Sequence, residues 1–346
     1  MKILLIAEKH PEGLLNIQAL IQRLVQKYDE VHISLMAPEG LQSLARRLPN
    51  LDELLTFPDA SMPLKYFWLA GRQLEEYHFD QAIVLNSSWR AAMVAWMSGI
   101  ERRTGYLRRM RVIVLNDTRW LNTQQFATEK AQYLALADDH GEAVTELPNA
   151  KLLVDQDNAA EQIKSHYLQS ERPTVVFCPG GTLAQNQRWP ASHWARLAAE
   201  LIEQGWAVWL VAPKSDQGFC EQICAGLDRE QQMEISNLAG RLAWEDMVDL
   251  IAQSRVVVAQ NNIFSHMALA LDLPLVSLSG ANEFSRYLPE NSDARSVSSD
   301  RHCQPCEQDS CRMDKGQSGT APCIQELSVD RVRAAILSMV PMQAVD

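Results

Sequence analysis

Arg172-Pro173-Thr174-Val175-Val176-Phe177-Cys178-Pro179-Gly180-Gly181 is the stretch that decides the fold. Thr174 to Cys178 is a short, apolar run closed by a Pro-Gly-Gly turn. Such a run reads as a strand buried on both faces, the kind found in parallel sheets. Its position matters as much as its composition. A series of strands and helices has already been completed upstream, and here the series begins again.

Upstream, Lys2 to Ala7, Val31 to Met36 and Gln81 to Leu85 read as strands. Between them, Leu14 to Val25 places Leu14, Ile17, Leu20, Ile21 and Leu24 at the spacing of one buried helical face. Leu41 to Leu48 and Trp89 to Met97 also read as helices. Downstream, Ser192 to Gln204, Trp244 to Gln253 and a short His266 to Leu271 segment predict helices. Ala207 to Ala212, Arg255 to Ala259 and Leu275 to Leu278 predict strands, and Leu327 to Val340 a last helix. Strands alternating with helices build parallel sheets from βαβ units. The fold class is therefore α/β, with two doubly wound, Rossmann-like domains. The length agrees: 346 residues, 47% of them hydrophobic, exceed one domain of roughly 100–200 residues. The expected division is 1–160, 170–326 and a terminal segment 327–346. The linker is expected in the charged and amide-rich stretch 150–172.

A net charge of -11 argues against a nucleic-acid partner or a general membrane coat. The apolar run at the N-terminus spans five residues, short of the roughly 7–15 of a signal peptide. No stretch approaches the ~18 apolar residues of a membrane span. A cytoplasmic protein without a transmembrane segment is the expectation. Seven cysteines, an odd number, argue against a disulfide framework.

In open α/β sheets, ligands bind beyond the carboxyl ends of the strands. The loops to inspect are 8–14, 86–90, 179–189, 213–217, 260–266 and 279–287. Gly180, Gly181, Thr182 and Arg188 combine a backbone that can approach phosphate with a hydroxyl and a permanent cation. A plain turn before a helix accounts for the same residues. Asn261, Asn262 and His266 open a helix whose free amides favour an anion. Simple capping explains the asparagines equally, and His266 can face a ligand or pack inside. Arg102, Arg103, Arg108, Arg109 and Arg111 put five arginines in ten positions, with no acid between Glu101 and Asp117. Arginines suit phosphate and carboxylate groups. Cys303, Cys306, Cys311 and Cys323 fit either a zinc site or a reduced loop, although the second pair lacks the tight spacing of a zinc ribbon.

Together these motifs resemble glycosyltransferase family 9, the ADP-heptose:lipopolysaccharide heptosyltransferases, over nearly the whole chain. The resemblance is carried by Lys2-Ile-Leu-Leu-Ile6, Phe79-Asp80-Gln81-Ala82, Arg103-Thr104-Gly105-Tyr106, Met110-Arg111 and Leu115-Asn116-Asp117-Thr118-Arg119. In the second half it takes in Cys178-Pro179-Gly180, Arg188-Trp189-Pro190, Asn237-Leu238-Ala239-Gly240, His266 and the cysteine-rich segment.

The resemblance implies a GT-B fold, two facing domains with a cleft between them, the last helix crossing back to the first. It implies an inverting, metal-independent transfer of heptose, with no bound cofactor. ADP-heptose is the co-substrate, and the acceptor is the anionic lipopolysaccharide inner core at the inner-membrane face. Gly180, Gly181, Thr182, Arg188, Asn261, Asn262 and His266 would hold the nucleotide sugar. Arg90, Arg103, Arg109 and Arg111 would hold the acceptor. The family's catalytic aspartate falls on Gly13, so Glu12 beside it is the expected base, with His10 as competitor. The family's lysine before Arg-Trp-Pro is Gln187 here, and its Asp-Ser/Thr-Gly is Asn261-Asn262-Ile263. Those departures keep two other readings open. One is a catalytically silent relative that binds lipopolysaccharide precursors or a partner transferase. The other is a different GT-B-like enzyme, such as a sugar-nucleotide epimerase or a phosphorylase.

Overall fold

The computed structural model describes residues 1–107, 109–126, 128–138, 148–180, 187–260, 262–281, 284, 288, 292–306, 311 and 321–340, without the side chains of Arg109 and Met110. The chain forms two compact units, Met1–Leu153 and Val154–Asp346.

The first unit holds one parallel sheet of β1 (Lys2–Ile6), β2 (His32–Pro38), β3 (Glu53–Phe57), β4 (Gln81–Val84), β5 (Arg102–Tyr106) and β6 (Asp117–Arg119). Their spatial order is β3-β2-β1-β4-β5-β6. The chain winds outward from β1 in one direction, then returns and winds outward from β4 in the other. Ile3 to Ile6 are fully buried, as a central strand covered on both faces requires. Helix α1 (Pro11–Lys27) starts on a proline, whose missing N–H costs nothing in a first turn. It buries Leu14, Leu15, Ile17, Leu20, Ile21 and Leu24. The helices Leu64–Gln73 and Trp89–Met97 pack so closely at Gly71 that a Cβ there would lie 2.6 Å from Met97 Cβ and 2.8 Å from the Val94 carbonyl oxygen. At the outer strand β6, Asp117 pairs with Arg102 at 2.9 Å and Arg119 at 3.1 Å.

The second unit repeats the plan. Its strands are β7 (Thr174–Cys178), β8 (Ala207–Leu210), β9 (Ile235–Asn237), β10 (Val256–Gln260), β11 (Leu275–Ser279) and β12 (Ala294–Ser298). They lie in the order β12-β11-β10-β7-β8-β9, all parallel. Four fully buried tryptophans, Trp189, Trp194, Trp206 and Trp209, dominate this half. Trp194 packs against Phe177 and Trp189, each with ring centroids 5.1 Å apart.

The α/β, doubly wound reading is borne out in both halves. Two details differ from expectation. The stretch expected as linker contains a helix, Gln156–Ser165. Its amide side chains serve as contacts: Asn158 Nδ2 donates to Asp246 and Asp249 at 3.0 and 2.7 Å, and Gln162 to Asp246 at 3.2 Å. The division accordingly falls earlier, at Leu153/Val154. The last helix, Val329–Met339, is packed within the second unit. Val332 and Ile336 are fully buried in that unit's core, and Arg333 pairs with Glu200 at 2.6 Å. Apolar residues bury where matching surface is nearest in the fold, and here that surface is the helix Ala191–Glu203 and strands β11 and β12.

Candidate functional site

Each sheet reverses its winding at one place, between β1 and β4 in the first unit and between β7 and β10 in the second. The chain leaves neighbouring strands in opposite directions there, opening a crevice at their carboxyl ends where ligands bind.

In the first unit, Ala7 and Glu8 follow β1, and Asn86 and Ser87 follow β4. Asn86 Nδ2 donates to the Ala7 carbonyl at 3.1 Å, and its Oδ1 accepts from Ser88 N at 2.9 Å. Ser88 Oγ in turn caps the helix Trp89–Met97 by accepting from Ala91 N at 3.2 Å. Glu8 Oε1 accepts from Ser87 N at 2.8 Å, so a carboxylate bridges the two loops. Gly13 is buried beside it: a Cβ there would meet Glu8 Cβ at 3.4 Å and the Tyr133 hydroxyl at 3.6 Å. The Tyr133 hydroxyl donates to Glu129 Oε1 at 2.9 Å, and Asn16 Nδ2 donates to Glu129 Oε2 at 2.8 Å. Burial lowers the Lys130 ammonium to about 8. Glu12 lies in the first turn of α1, where a negative charge suits the helix dipole. His10 is exposed at that helix's N-cap and makes no side-chain cap bond.

The arginines divide. Arg90 donates to the Ala60 carbonyl and lies 5.0 Å over the Phe67 ring, close to the carboxyl end of β4. Arg111 is 3% exposed, and its guanidinium donates to the carbonyls of Val84 and Tyr106, the last residues of β4 and β5. Arg103, near the amino end of β5, is held by the carbonyls of Ile100, Glu101 and Val114. The Arg109 side chain lies outside the described residues.

In the second unit, β7 runs into Pro179 and Gly180. A Cβ on Gly180 would fall 2.5 Å from the Asp216 carboxyl, so only glycine fits without displacing that group. Asp216 is fully buried and pairs with Arg188 at 2.6 Å; the Arg188 side chain is 18% exposed and lies over the Phe219 ring. Gln260, ending β10, accepts from Trp189 N and donates to the Gln187 carbonyl, both at 2.9 Å. Asn262 Nδ2 donates to the Gly180 carbonyl, while Oδ1 accepts from Phe264 N at 2.9 Å and caps the helix Ile263–Ala270. Ile263 is buried at the first helical position, 2% exposed. His266 is half-buried and meets the Phe284 ring edge-on at 5.2 Å. Gly180, Arg188 and Asn262 are therefore brought together at one crevice. Gly181, Thr182 and Asn261 lie outside the described residues. The sequence reading missed Asp216 and the exposed Lys214, both on the loop after β8. The flagged loop 213–217 was the only signal for them.

The family model for glycosyltransferase family 9 (heptosyltransferase) matches residues 68–316. The chain belongs to that family. This glycosyltransferase is 35% identical to lipopolysaccharide heptosyltransferase 2 of Escherichia coli K12 over 289 residues, covering 81% of this chain and 83% of that protein. It is 32% identical to lipooligosaccharide heptosyltransferase 2 of Haemophilus influenzae, covering 86% and 88%. A solved structure of E. coli ADP-heptose lps heptosyltransferase II aligns over 98% of each chain, with a TM-score of 0.86 and 29% identity.

In the second unit of this glycosyltransferase, Cys303, Cys306, Cys311 and Cys323 line a cavity of about 20 Å³ together with Gln187, Arg301 and Gln304. All four are free thiols. Burial, then the neighbouring Cys311, raises Cys323. Among the described residues no three His, Cys, Asp or Glu side chains converge closely enough to hold a metal ion. Gln304 Nε2 and Cys306 N tie the segment to the carbonyls of Gly280 and Ala281, beyond the carboxyl end of β11, at 2.9 and 3.0 Å. A larger cavity, about 630 Å³, lies among Pro173, Thr174, Trp206 and Arg255. Those residues sit at the amino ends of the strands, where this fold class does not bind ligands.

Proposed function

We propose that the protein transfers heptose from ADP-heptose to the anionic inner core of a lipopolysaccharide precursor, with inversion and without a metal. The observation that carries this is the 35% identity over 81% of the chain to a protein named lipopolysaccharide heptosyltransferase 2. The nucleotide sugar is assigned to the crevice at β7 and β10, with Gly180, Gly181, Thr182, Arg188, Asn261, Asn262 and His266. Amides of the helix Ile263–Ala270 and the cations Arg188 and Lys214 would stabilise the departing diphosphate. The acceptor is assigned to the first unit, to Arg90 and Arg111 near the carboxyl ends of β4 and β5 and to Arg109. Arg103, fixed near the amino end of β5, supports the sheet. A carboxylate of the loop 8–13 removes the acceptor proton; Glu12 is the sequence's candidate.

The test pairs calorimetry and turnover over ADP-, UDP-, GDP- and CMP-sugars with an inner-core acceptor. The expected result is binding of ADP and turnover of ADP-heptose. ADP binding with no turnover of any donor would favour the silent relative, a reading supported by the changes at Gly13, Gln187 and Ile263.

A cytoplasmic location with peripheral attachment to the membrane face belongs to the same proposal. Among the described residues no helix is long and apolar enough to cross a membrane. Leu64, Tyr66, Trp68 and Leu69 are exposed on one helix, and Trp89 and Trp96 on the helix packed against it. No acid occurs between Ser61 and Leu74, where Lys65 and Arg72 lie. Exposed aromatic and basic residues together suit an anionic lipid surface. Co-sedimentation with anionic vesicles, lost in Trp68→Ser/Trp96→Ser, is the expected outcome; equal sedimentation with neutral vesicles would remove the idea.

A further inference from the structure

We propose that Glu8, rather than Glu12, is the general base of the transfer; the inference rests on the function proposed above. Glu8 stands at the reversal between β1 and β4, the place in this sheet where a ligand meets both loops. One of its oxygens is fixed, since Oε1 accepts from Ser87 N at 2.8 Å. The other, Oε2, accepts no hydrogen bond from any described residue. A carboxylate held by one oxygen and open at the other is arranged to accept a proton from a bound hydroxyl.

The neighbouring candidates are less suited. Tyr133 keeps its proton, because burial and then the charges of Glu129 and Glu8 raise its phenol far above the ordinary range. Both oxygens of Glu129 are occupied, by Tyr133 and Asn16. Glu12 lies one residue before Gly13 on α1, so its side chain leaves the helix about 100° away from the Gly13 face. It is the Gly13 face that meets Glu8 and Tyr133.

In the step, the acceptor hydroxyl oxygen attacks the anomeric carbon of the donor sugar. Its proton passes to Glu8 Oε2. The bond from the anomeric carbon to the diphosphate breaks, and the electron pair leaves with ADP. The Glu8 carboxylic acid then returns its proton to water.

Gly13 supplies the test. A side chain there would touch Glu8 Cβ and the Tyr133 hydroxyl only at ordinary contact distances, 3.4 and 3.6 Å. A carboxylate introduced at 13 therefore enters the space that Glu8 serves. Turnover of ADP-heptose and affinity for ADP are measured on the full chain, with melting temperature as the check on folding. Glu8→Gln is expected to lower kcat by about 10²–10⁴-fold, the range of general-base help, while ADP affinity is kept. Its loss should exceed that of Glu12→Gln by at least about tenfold. Glu8→Gln/Gly13→Asp is expected to regain part of the turnover. Glu8→Gln retaining turnover, or Glu12→Gln losing as much or more, overturns the assignment even if the double variant fails to fold. A wild type that binds ADP but turns over no donor overturns the proposed transfer and Glu8's role with it.

Discussion

The two crevices share a topology and differ in how their polar groups are used. At the second, Arg188 is paired with buried Asp216, Asn262 is bonded to the Gly180 carbonyl, and Gln260 grips both Gln187 and Trp189. At the first, Glu8 is anchored by one oxygen among the described residues. The contrast matches the two tasks proposed for them. A nucleotide site gains affinity when its groups are set before the ligand arrives. A proton acceptor has to keep one atom open to the substrate.

The largest expected effect tests the wired side. Arg188→Ala removes the cation beside the buried Asp216 carboxylate, and should cost about 3–5 kcal/mol of stability in urea unfolding. Arg188→Ala/Asp216→Ala should recover part of that loss. If the double variant is no better than the single, the pair is not what holds the loop. Gly180→Ala comes next. Its Cβ would collide with the Asp216 carboxyl, so a loss of about 1–3 kcal/mol is expected, together with weaker ADP binding. An unaltered urea midpoint would mean that the close approach is soft.

The first unit is probed by pH. Lys130 falls from 10.5 to about 8 on folding, through burial. Between those values the unfolded chain binds the extra proton, so stability should rise as pH goes from about 8 to about 10.5. Below about 8 the lysine is charged in both states, and its burial penalty is present in full and constant. The gain should be on the order of 1–2 kcal/mol, reduced by partial exposure. Lys130→Met should flatten it; an equal slope in both proteins would assign the effect elsewhere. The smallest effect is the cap. Asn262→Ala should cost about 1 kcal/mol, plus a further loss of ADP affinity if the Gly180 contact orients the loop.

What could be read from the sequence follows burial. β1, β4, β7 and β10 are central, apolar and short, and the residues alone disclose them. β3, β6, β9 and β12 are the outer strands of the two sheets, and none was anticipated. Ala294–Ser298 and Asp117–Arg119 carry the polar and charged side chains expected of an edge, which periodicity reads as loop. The helix Gln156–Ser165 was missed for a related reason: its packing partners are carboxylates, so its contact face carries amides. At the sites, Arg188 and Gly180 could be picked out by residue type. Asp216, which explains both, could not, because nothing local links it to them. The arginine run reads differently. Charge density points to an anionic partner, and it does not disclose that Arg103 and Arg111 also donate to carbonyls of their own chain.

The ion cluster on β6 reaches beyond the sheet it closes. An outer strand offers unpaired amides and carbonyls to any extended segment that drifts past, and repeated pairing of that kind is how sheets grow into aggregates. A foreign segment docking at Asp117–Arg119 would crowd or displace Arg102 and Arg119 from the Asp117 carboxylate, a loss that ordinary β-pairing does not easily recover. The charges that hid this strand from a hydrophobicity reading thus also help keep the molecule from polymerising at high concentration.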